Sequence, residues 1–479
     1  MQIIPEEFRV EFENKVDWLK DKACARRKGL GTHLPWDKEW LIESLGDSTI
    51  YMAYYILAKY VNAGMKIDSL PPEFFEYIFL DHGEAAAVAK LTGIPLETVQ
   101  QIRKDFVYWY PVDLRTSGKD LVANHLLFFL YHHVAVFPEA LWPKAIAVNG
   151  FVSLEGQKMS KSKGPLLTLK EAVALSGADV TRLYILGNAE YTQDADWRNE
   201  GVVSTRGQLE RFYSLAREIL EGGSIDESAE LDLVDRWLLS RLQRRILEAT
   251  TAMENIQTRR ALQSSFFLLF NDIRWYQRRG GKNQLRKALS IWVRLMAPFT
   301  PHVCEEIWSS FAEGYVSRAE WPEADLGLID EGAEGAELLL KDTLEDVEEI
   351  LKVTKVVPRR VVLYTVPRWK KEMLRLATEQ ARGGNLDMGR LMKAAMTLPE
   401  IAKNKREAPK YAQKLAKAAF SLTKELQELD ELAILLRERD YLQSVLGVPV
   451  EVYSADEAGS DPLGKSKQAE PGRPAIYIE

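Results

Sequence analysis

A change of periodicity after Arg198 constrains this chain more than any other feature. Before it, short apolar runs alternate with helical segments; from Gly201 to Ala312 the pattern is almost unbroken amphipathic helix. Ala145 to Val148 reads as a short buried strand, Asn149-Gly150 as a turn and Phe151 to Leu154 as a returning strand. Helical spacing covers Trp40 to Val61, Lys119 to Val136 and Leu169 to Leu175. Strand, helix and strand in alternation predict an α/β domain with a largely parallel sheet. The later stretch, broken at Glu221-Gly222-Gly223-Ser224 and Gly280-Gly281 and interrupted by Pro298 and Pro301, predicts an all-α bundle. At 479 residues the chain exceeds one ordinary core.

A third region follows an expected low-order joint at Glu331-Gly332-Ala333-Glu334-Gly335. A helix (Ala336 to Lys352), a β-rich run (Arg360 to Val366), more helices and two strands (Pro449 to Tyr453, Ala475 to Ile478) predict a small α/β domain. The polar stretch DEAGSDPLGKSKQAEPGR between the last strands reads as a mobile loop. The expected domains are therefore 1–200, 201–327 and 336–479.

Composition removes several classes of function. A formal charge of −7 argues against a generally sticky nucleic-acid coat, although a local basic face is still compatible with a polyanion. The two cysteines, Cys24 and Cys304, lack companions at metal-ligand spacing, so neither a disulfide framework nor a metal site is expected. The opening MQIIPEEFRVEFENKVDW carries acids where a secretory peptide has a basic start. The apolar run Leu126 to Tyr131 is too short for a bilayer. A cytoplasmic protein with no membrane partner is expected.

The densest chemical signal is EGQKMSKSKG, Glu155 to Gly164, with three lysines, two serines and two glycines. It is not a P-loop, because Gly156 is followed five places on by Lys161 and not by glycine. A lysine-rich loop is ordinarily a solvated turn. Here, however, Lys158-Met159-Ser160-Lys161-Ser162 is a complete five-residue match to the second signature of class I aminoacyl-tRNA synthetases.

Upstream, Leu114-Arg115-Thr116-Ser117-Gly118-Lys119-Asp120 resembles that family's Gly-x-Asp/Glu segment. Glu43 to Tyr55, Trp18 to Arg27 and the ending Pro471 to Ile478 closely resemble leucyl-tRNA synthetases of the archaeal and eukaryotic cytosolic type. The resemblance covers essentially the whole chain. It implies the second half of a Rossmann-like catalytic domain, an all-α anticodon-binding-type bundle and a small α/β tRNA-binding domain. The implied activity is leucine–tRNA ligation with ATP and Mg²⁺, giving an aminoacyl-adenylate and pyrophosphate before transfer to tRNA(Leu).

The resemblance also implies roles for individual residues. Lys158 and Lys161 would be catalytic, stabilising the triphosphate. Gly118, Asp120, Lys158, Met159, Ser160, Lys161 and Ser162 would bind ATP, and Thr49, Met52 and His125 would border leucine. Taken alone, Asp120 also fits a first-turn helix acid and His125 a hydrogen-bonded core histidine. Arg274 and Arg278, one turn apart, share a helix face that could meet tRNA phosphates, while Trp275 and Tyr276 fit packing better than base stacking. Lys465, Lys467 and Arg473 would reach tRNA from the last domain, or else form an ordinary solvated loop.

Pro165 departs from the asparagine many relatives carry there. More important, none of the six histidines forms the family's His-Ile-Gly-His type signature. The first half of the nucleotide fold is thus expected on a separate or lost polypeptide, leaving the isolated chain inactive. The alternatives are a noncatalytic tRNA-binding relative, or a synthetase for valine, isoleucine or methionine.

Overall fold

The computed structural model describes residues 1–19, 24–67, 70–160, 164–222, 230–382, 386–417, 429–456, 461 and 463–479. It comprises two compact units, one of Met1–Glu210 with Ala252–Leu262 and one of Arg211–Thr251 with Gln263–Glu479. No helix among the described residues is long and apolar enough to cross a membrane.

The first unit contains strands β1 (Gln2–Ile4), β2 (Ala25–Arg26), β3 (Leu41–Ile42), β4 (Arg115–Gly118), β5 (Ala145–Asn149), β6 (Val152–Leu154), β7 (Gln157–Lys158) and β8 (Ala195–Trp197). β5 lies between β1 and β4, parallel to both. Its Ala145-Ile146-Ala147-Val148 run is buried throughout, as a strand covered on both faces must be. Ile146 and Val148 pack with Ile3, Phe12, Leu126 and Phe129. A second, helical core gathers Ile56, Leu57, Phe74, Ile102, Phe106 and Phe137.

Two expectations for this unit need revision, and a third holds with added detail. Trp40 to Val61 is not one helix: Leu41–Ile42 pairs antiparallel with Ala25–Arg26, a short turn of helix covers Ser44–Asp47, and helix resumes at Tyr51–Asn62. The Glu43 carboxylate accepts the Leu45 and Gly46 amides at 2.7 and 3.1 Å, and the Thr49 hydroxyl donates to the Gly46 carbonyl at 2.9 Å. These side chains claim backbone groups that a continuous helix would use itself. Lys119 to Val136 is helical as expected but changes pitch, from 3₁₀ at Lys119–Leu121 through a π turn at Val122–Leu126 to α at Leu127–Val136.

β6 does not return along β5. It pairs parallel with β8 and antiparallel with β7, in a separate sheet. The Gly150 amide donates to the Tyr191 carbonyl and the Phe151 amide to Asp194 Oδ1 (2.8 Å), so the chain leaves the first sheet there. A Cβ on Gly150 would lie 2.1 Å from the Gln193 carbonyl oxygen. Gly150→Ala is accordingly expected to cost about 1–3 kcal/mol through overpacking, read as a lowered urea midpoint.

The second unit holds all but the last three residues of the helix Leu233–Glu254, together with the helices Leu269–Arg278, Leu285–Met296 and Pro301–Trp308. Phe212 and Trp292 meet edge to face at 4.5 Å in its interior. The expected joint at Glu331 to Gly335 is instead the first turn of a helix, Glu331–Thr354, with the Asp330 carboxylate accepting the Ala333 amide at 2.8 Å. A Cβ on Gly335 would stand 3.0 Å from the Leu429 side chain, so that glycine serves close packing and not a break.

Strand β9 (Val361–Thr365), fully buried, lies between β10 (Val450–Ser454), parallel to it, and β11 (Ala475–Ile478), antiparallel. The described part of the expected mobile loop is tightly built. Asp461 accepts the amides of Lys465 and Ser466, and the buried Lys370 ammonium donates to the carbonyls of Lys467 (2.8 Å) and Ala469 (2.7 Å).

Candidate functional site

The carboxyl ends of β4 and β5 stand side by side, with Gly118 opposite Asn149. In parallel α/β sheets this is the edge where ligands bind. A Cβ on Gly118 would lie 2.7 Å from Asp120 Oδ1, so a larger residue there would push that exposed carboxylate away from the strand end. Asp120 is exposed and, among the described residues, no hydrogen bond or ion pair is made by its carboxylate, while its carbonyl accepts from Asn124 Nδ2 at 3.5 Å. A free carboxylate at a strand end can accept bonds from hydroxyl groups.

Lys119, which the sequence reading passed over, binds both Asp194 oxygens at 2.7 and 2.8 Å. Its ammonium also lies 4.6 Å from the centroid of the Phe151 ring, and the Lys158 ammonium lies 5.7 Å from the same centroid. Phe151 thus joins the Gly118–Asp120 segment to the lysine loop. Nothing in the sequence marked this residue, because its role depends on which strand β6 pairs with.

The lysine loop leaves β6 through Glu155 and Gly156, both left-handed at φ 50° and 76°, and returns as β7. Asp196 anchors this hairpin, accepting from the Gly156 amide and the Ser153 hydroxyl at 2.8 Å each and from Arg198 at 2.7 Å. Lys158 is exposed, while Met159 and Ser160 are half-buried. The Ser160 amide donates to the Pro165 carbonyl, tying the loop exit to its entrance. A Cβ on Gly164 would meet the Lys158 carbonyl oxygen at 2.9 Å. Lys161 and Ser162 lie outside the described residues.

Those bonds, the Gly156 amide foremost, hold the Asp196 carboxyl below its ordinary value of 3.8. A depressed acid contributes its stabilisation above the unfolded value and loses it as pH falls through the folded one. Protection of the Gly156 amide, its exchange measured against an unstructured amide at the same pH, is therefore expected to fall only below about pH 4, and Asp196→Asn to remove that acid dependence.

Thr49 is fully buried, its hydroxyl donating to Gly46 and accepting from His132 Nδ1 at 2.6 Å. His132 was not singled out in the sequence. Met52 is half-buried and packs against the cluster containing Val122 and Leu126, on either side of His125. His125 is buried: Nδ1 donates to the Leu45 carbonyl at 3.2 Å and Nε2 accepts from Arg115 at 2.9 Å. Burial lowers its pKa, assisted by the Arg115 charge and opposed by the Leu45 bond, so the ring is neutral at pH 7. Met52 and His125 meet at the π turn, whereas Thr49 bonds His132 on the helix that follows it, and both His125 nitrogens are engaged. Any contact His125 makes with a ligand would therefore be through its ring carbons.

In the second unit, Arg274 and Arg278 line one cavity of about 940 Å³ together with Lys282 and Lys341. Trp275 and Tyr276 are packing residues, both buried; the indole donates to Glu337 and the phenol to Asp235. Lys465 is half-buried, whereas Lys467 and Arg473 are exposed on the segment held by Lys370. Among the described residues, no group of three or more His, Cys, Asp or Glu side chains could hold a metal ion.

Two protein families match this chain. "tRNA synthetases class I (M)" covers residues 95–208, a span enclosing β4, β5 and the lysine loop, and "Anticodon-binding domain of tRNA ligase" covers 235–363. Leucine–tRNA ligase of Methanothrix thermoacetophila is 71% identical over 479 residues, all of this chain and 50% of that protein. Those of Archaeoglobus fulgidus and Pyrococcus horikoshii are 50% and 44% identical, covering all of this chain and 49% and 50% of theirs. The chain spans about half the length of the curated relatives it matches.

Proposed function

We propose that this chain, a member of the class I leucyl-tRNA synthetase family, supplies the lysine-loop half of an ATP-dependent leucine-activating site and needs the remaining half of the enzyme for turnover. The single observation carrying this reading is Phe151, against which Lys119 and Lys158 both lie at the carboxyl end of the sheet. Through it the Gly118–Asp120 cradle and the lysine loop adjoin.

In the reaction, a leucine carboxylate oxygen attacks the α-phosphorus of ATP, forming the acyl–phosphate bond of leucyl-adenylate as the bond to pyrophosphate breaks. A ribose hydroxyl of tRNA(Leu) then displaces AMP. Asp120 accepts from the ribose hydroxyls of ATP, and Gly118 keeps the approach open. Lys158 and Lys161 neutralise charge building on the departing pyrophosphate, with Met159, Ser160 and Ser162 shaping the loop that carries them. Thr49, Met52 and the neutral His125 border the leucine side chain.

Mg²⁺ arrives with ATP, held mainly by phosphate oxygens and water as is usual for this ion. Arg274 and Arg278, and separately Lys467, Arg473 and Lys465, face tRNA phosphates. The working site is the cytoplasm.

The test is leucine-dependent pyrophosphate exchange by the chain alone and after addition of the other half of a close relative. Exchange is expected only in the assembled enzyme, with valine, isoleucine and methionine as weaker substrates. No exchange after assembly, with tRNA affinity retained, would instead indicate a noncatalytic tRNA-binding protein.

A further inference from the structure

A second cavity in the helical bundle, about 630 Å³, shares no lining residue with the one at Arg274. That volume falls within the usual range for small-ligand sites, roughly 300–1,000 Å³. Helix Leu285–Met296 buries Leu289, Trp292, Val293 and Met296 on one side and sets Arg286, Ser290 and Arg294 one turn apart on another, with Lys287 beside them. Trp308 and Phe311 supply an aromatic wall, their rings edge to face at 5.3 Å.

The electrostatics of this cavity are incomplete. Its lining includes three cationic side chains and no carboxylate. The half-buried Arg294 guanidinium donates only to carbonyls, those of Ser290 (3.1 Å) and Glu320 (3.3 Å), and among the described residues no carboxylate pairs with it. Burial holds Arg294 below its ordinary pKa, opposed by the more distant Glu320 charge. Among the described residues, the buried indole N–H of Trp308 has no acceptor. A half-buried guanidinium with no acidic partner, in a cavity that also holds an unsatisfied donor, is better satisfied once an anion completes it.

Arginine matches phosphate geometry, and aromatic walls suit a nucleobase. We propose that this cavity is a nucleotide site, with the phosphate on Arg294, Arg286 and Lys287 and the base against Trp308 and Phe311. The nucleotide is either a residue of a bound RNA, a source that rests on the synthetase reading above, or a free mononucleotide, which does not depend on it.

The test uses the full chain carrying Asp120→Asn, so that the cradle in the first unit is removed from the readout. AMP is titrated calorimetrically, with inorganic phosphate as a second probe and tRNA as competitor. AMP is expected to bind more tightly than phosphate. Arg294→Gln should weaken it about ten-fold, as loss of a charge-assisted hydrogen bond does, and Arg294→Lys should restore part of the loss. The exposed Lys287→Ala should weaken it too without altering the thermal midpoint, which covers the case of a poorly folded Arg294 variant. Competition by tRNA assigns the site to RNA, and AMP binding indifferent to tRNA assigns it to a free nucleotide. Absence of AMP binding, equal affinity for phosphate, or affinity unchanged in both the Arg294→Gln and Lys287→Ala variants would overturn the proposal, whatever the outcome of pyrophosphate exchange.

Discussion

Alanine at position 158 is expected to slow leucine-dependent pyrophosphate exchange in the assembled enzyme by about 10²–10³-fold, the usual loss when one preorganised electrostatic contact to a developing charge is removed. The thermal midpoint should not move. Lys158 is exposed, and its one described side-chain contact is the Phe151 ring, with the ammonium 5.7 Å from the centroid, so the folded state owes it little. The loss should fall on turnover more than on the KM for leucine, because the ammonium acts on charge that grows as pyrophosphate departs. Arginine at the same position should rescue only part of the rate, since a planar fork replaces a compact point charge. Unchanged exchange in Lys158→Ala would remove the catalytic role of the loop.

The largest expected effect on stability lies in the second unit, at Glu337. Its side chain is 1% exposed and takes bonds from Arg279, itself 4% exposed, at 2.9 Å and from the Trp275 indole at 2.8 Å. Arg279 also reaches Glu438 at 2.6 Å. Burial pulls the Arg279 pKa down, but the bonds and charges of Glu337 and Glu438 outweigh it and leave the net shift upward. Glu337→Ala would leave the buried Arg279 Nε without an acceptor, with Glu438 alone against its charge, and the indole without its acceptor.

The expected cost is about 3–5 kcal/mol, measured as a fall in urea midpoint at unchanged slope. A double change, Arg279→Met with Glu337→Leu, should recover most of that loss, because two apolar groups replace a half-satisfied guanidinium while Glu438 keeps Arg437 at 3.0 Å. If the double variant is as unstable as the single one, the penalty comes from shape and not from charge.

Much of this architecture could be read in the chain itself. The uninterrupted apolar run at Ala145 to Val148 identified a buried strand, since only a strand covered on both faces can be apolar without alternation. Helix breaks at Gly280-Gly281 and Pro298–Pro301 also fell where the local chemistry placed them. The errors have a common physical origin. Glu43 and Thr49 take backbone partners that helical periodicity does not count; Gly335 packs against a side chain far along the sequence; Asp461 and Lys370 fix a stretch that composition alone would leave loose.

The candidate site divides in the same way. The sequence determined the chemical inventory: a lysine loop, a glycine with an acid two places on, and a helical bundle carrying arginines one turn apart. These depend on residue type and short spacing, which local sterics and charge decide. Only the tertiary structure decided that Phe151 joins the cradle to the loop, that Asp196 anchors the loop from beyond it, that His132 engages Thr49, and that both nitrogens of His125 are spent on Leu45 and Arg115. Each of those contacts crosses from about 7 to more than 80 residues of sequence, and its geometry is set by how strands pair and helices pack, not by the identity of near neighbours.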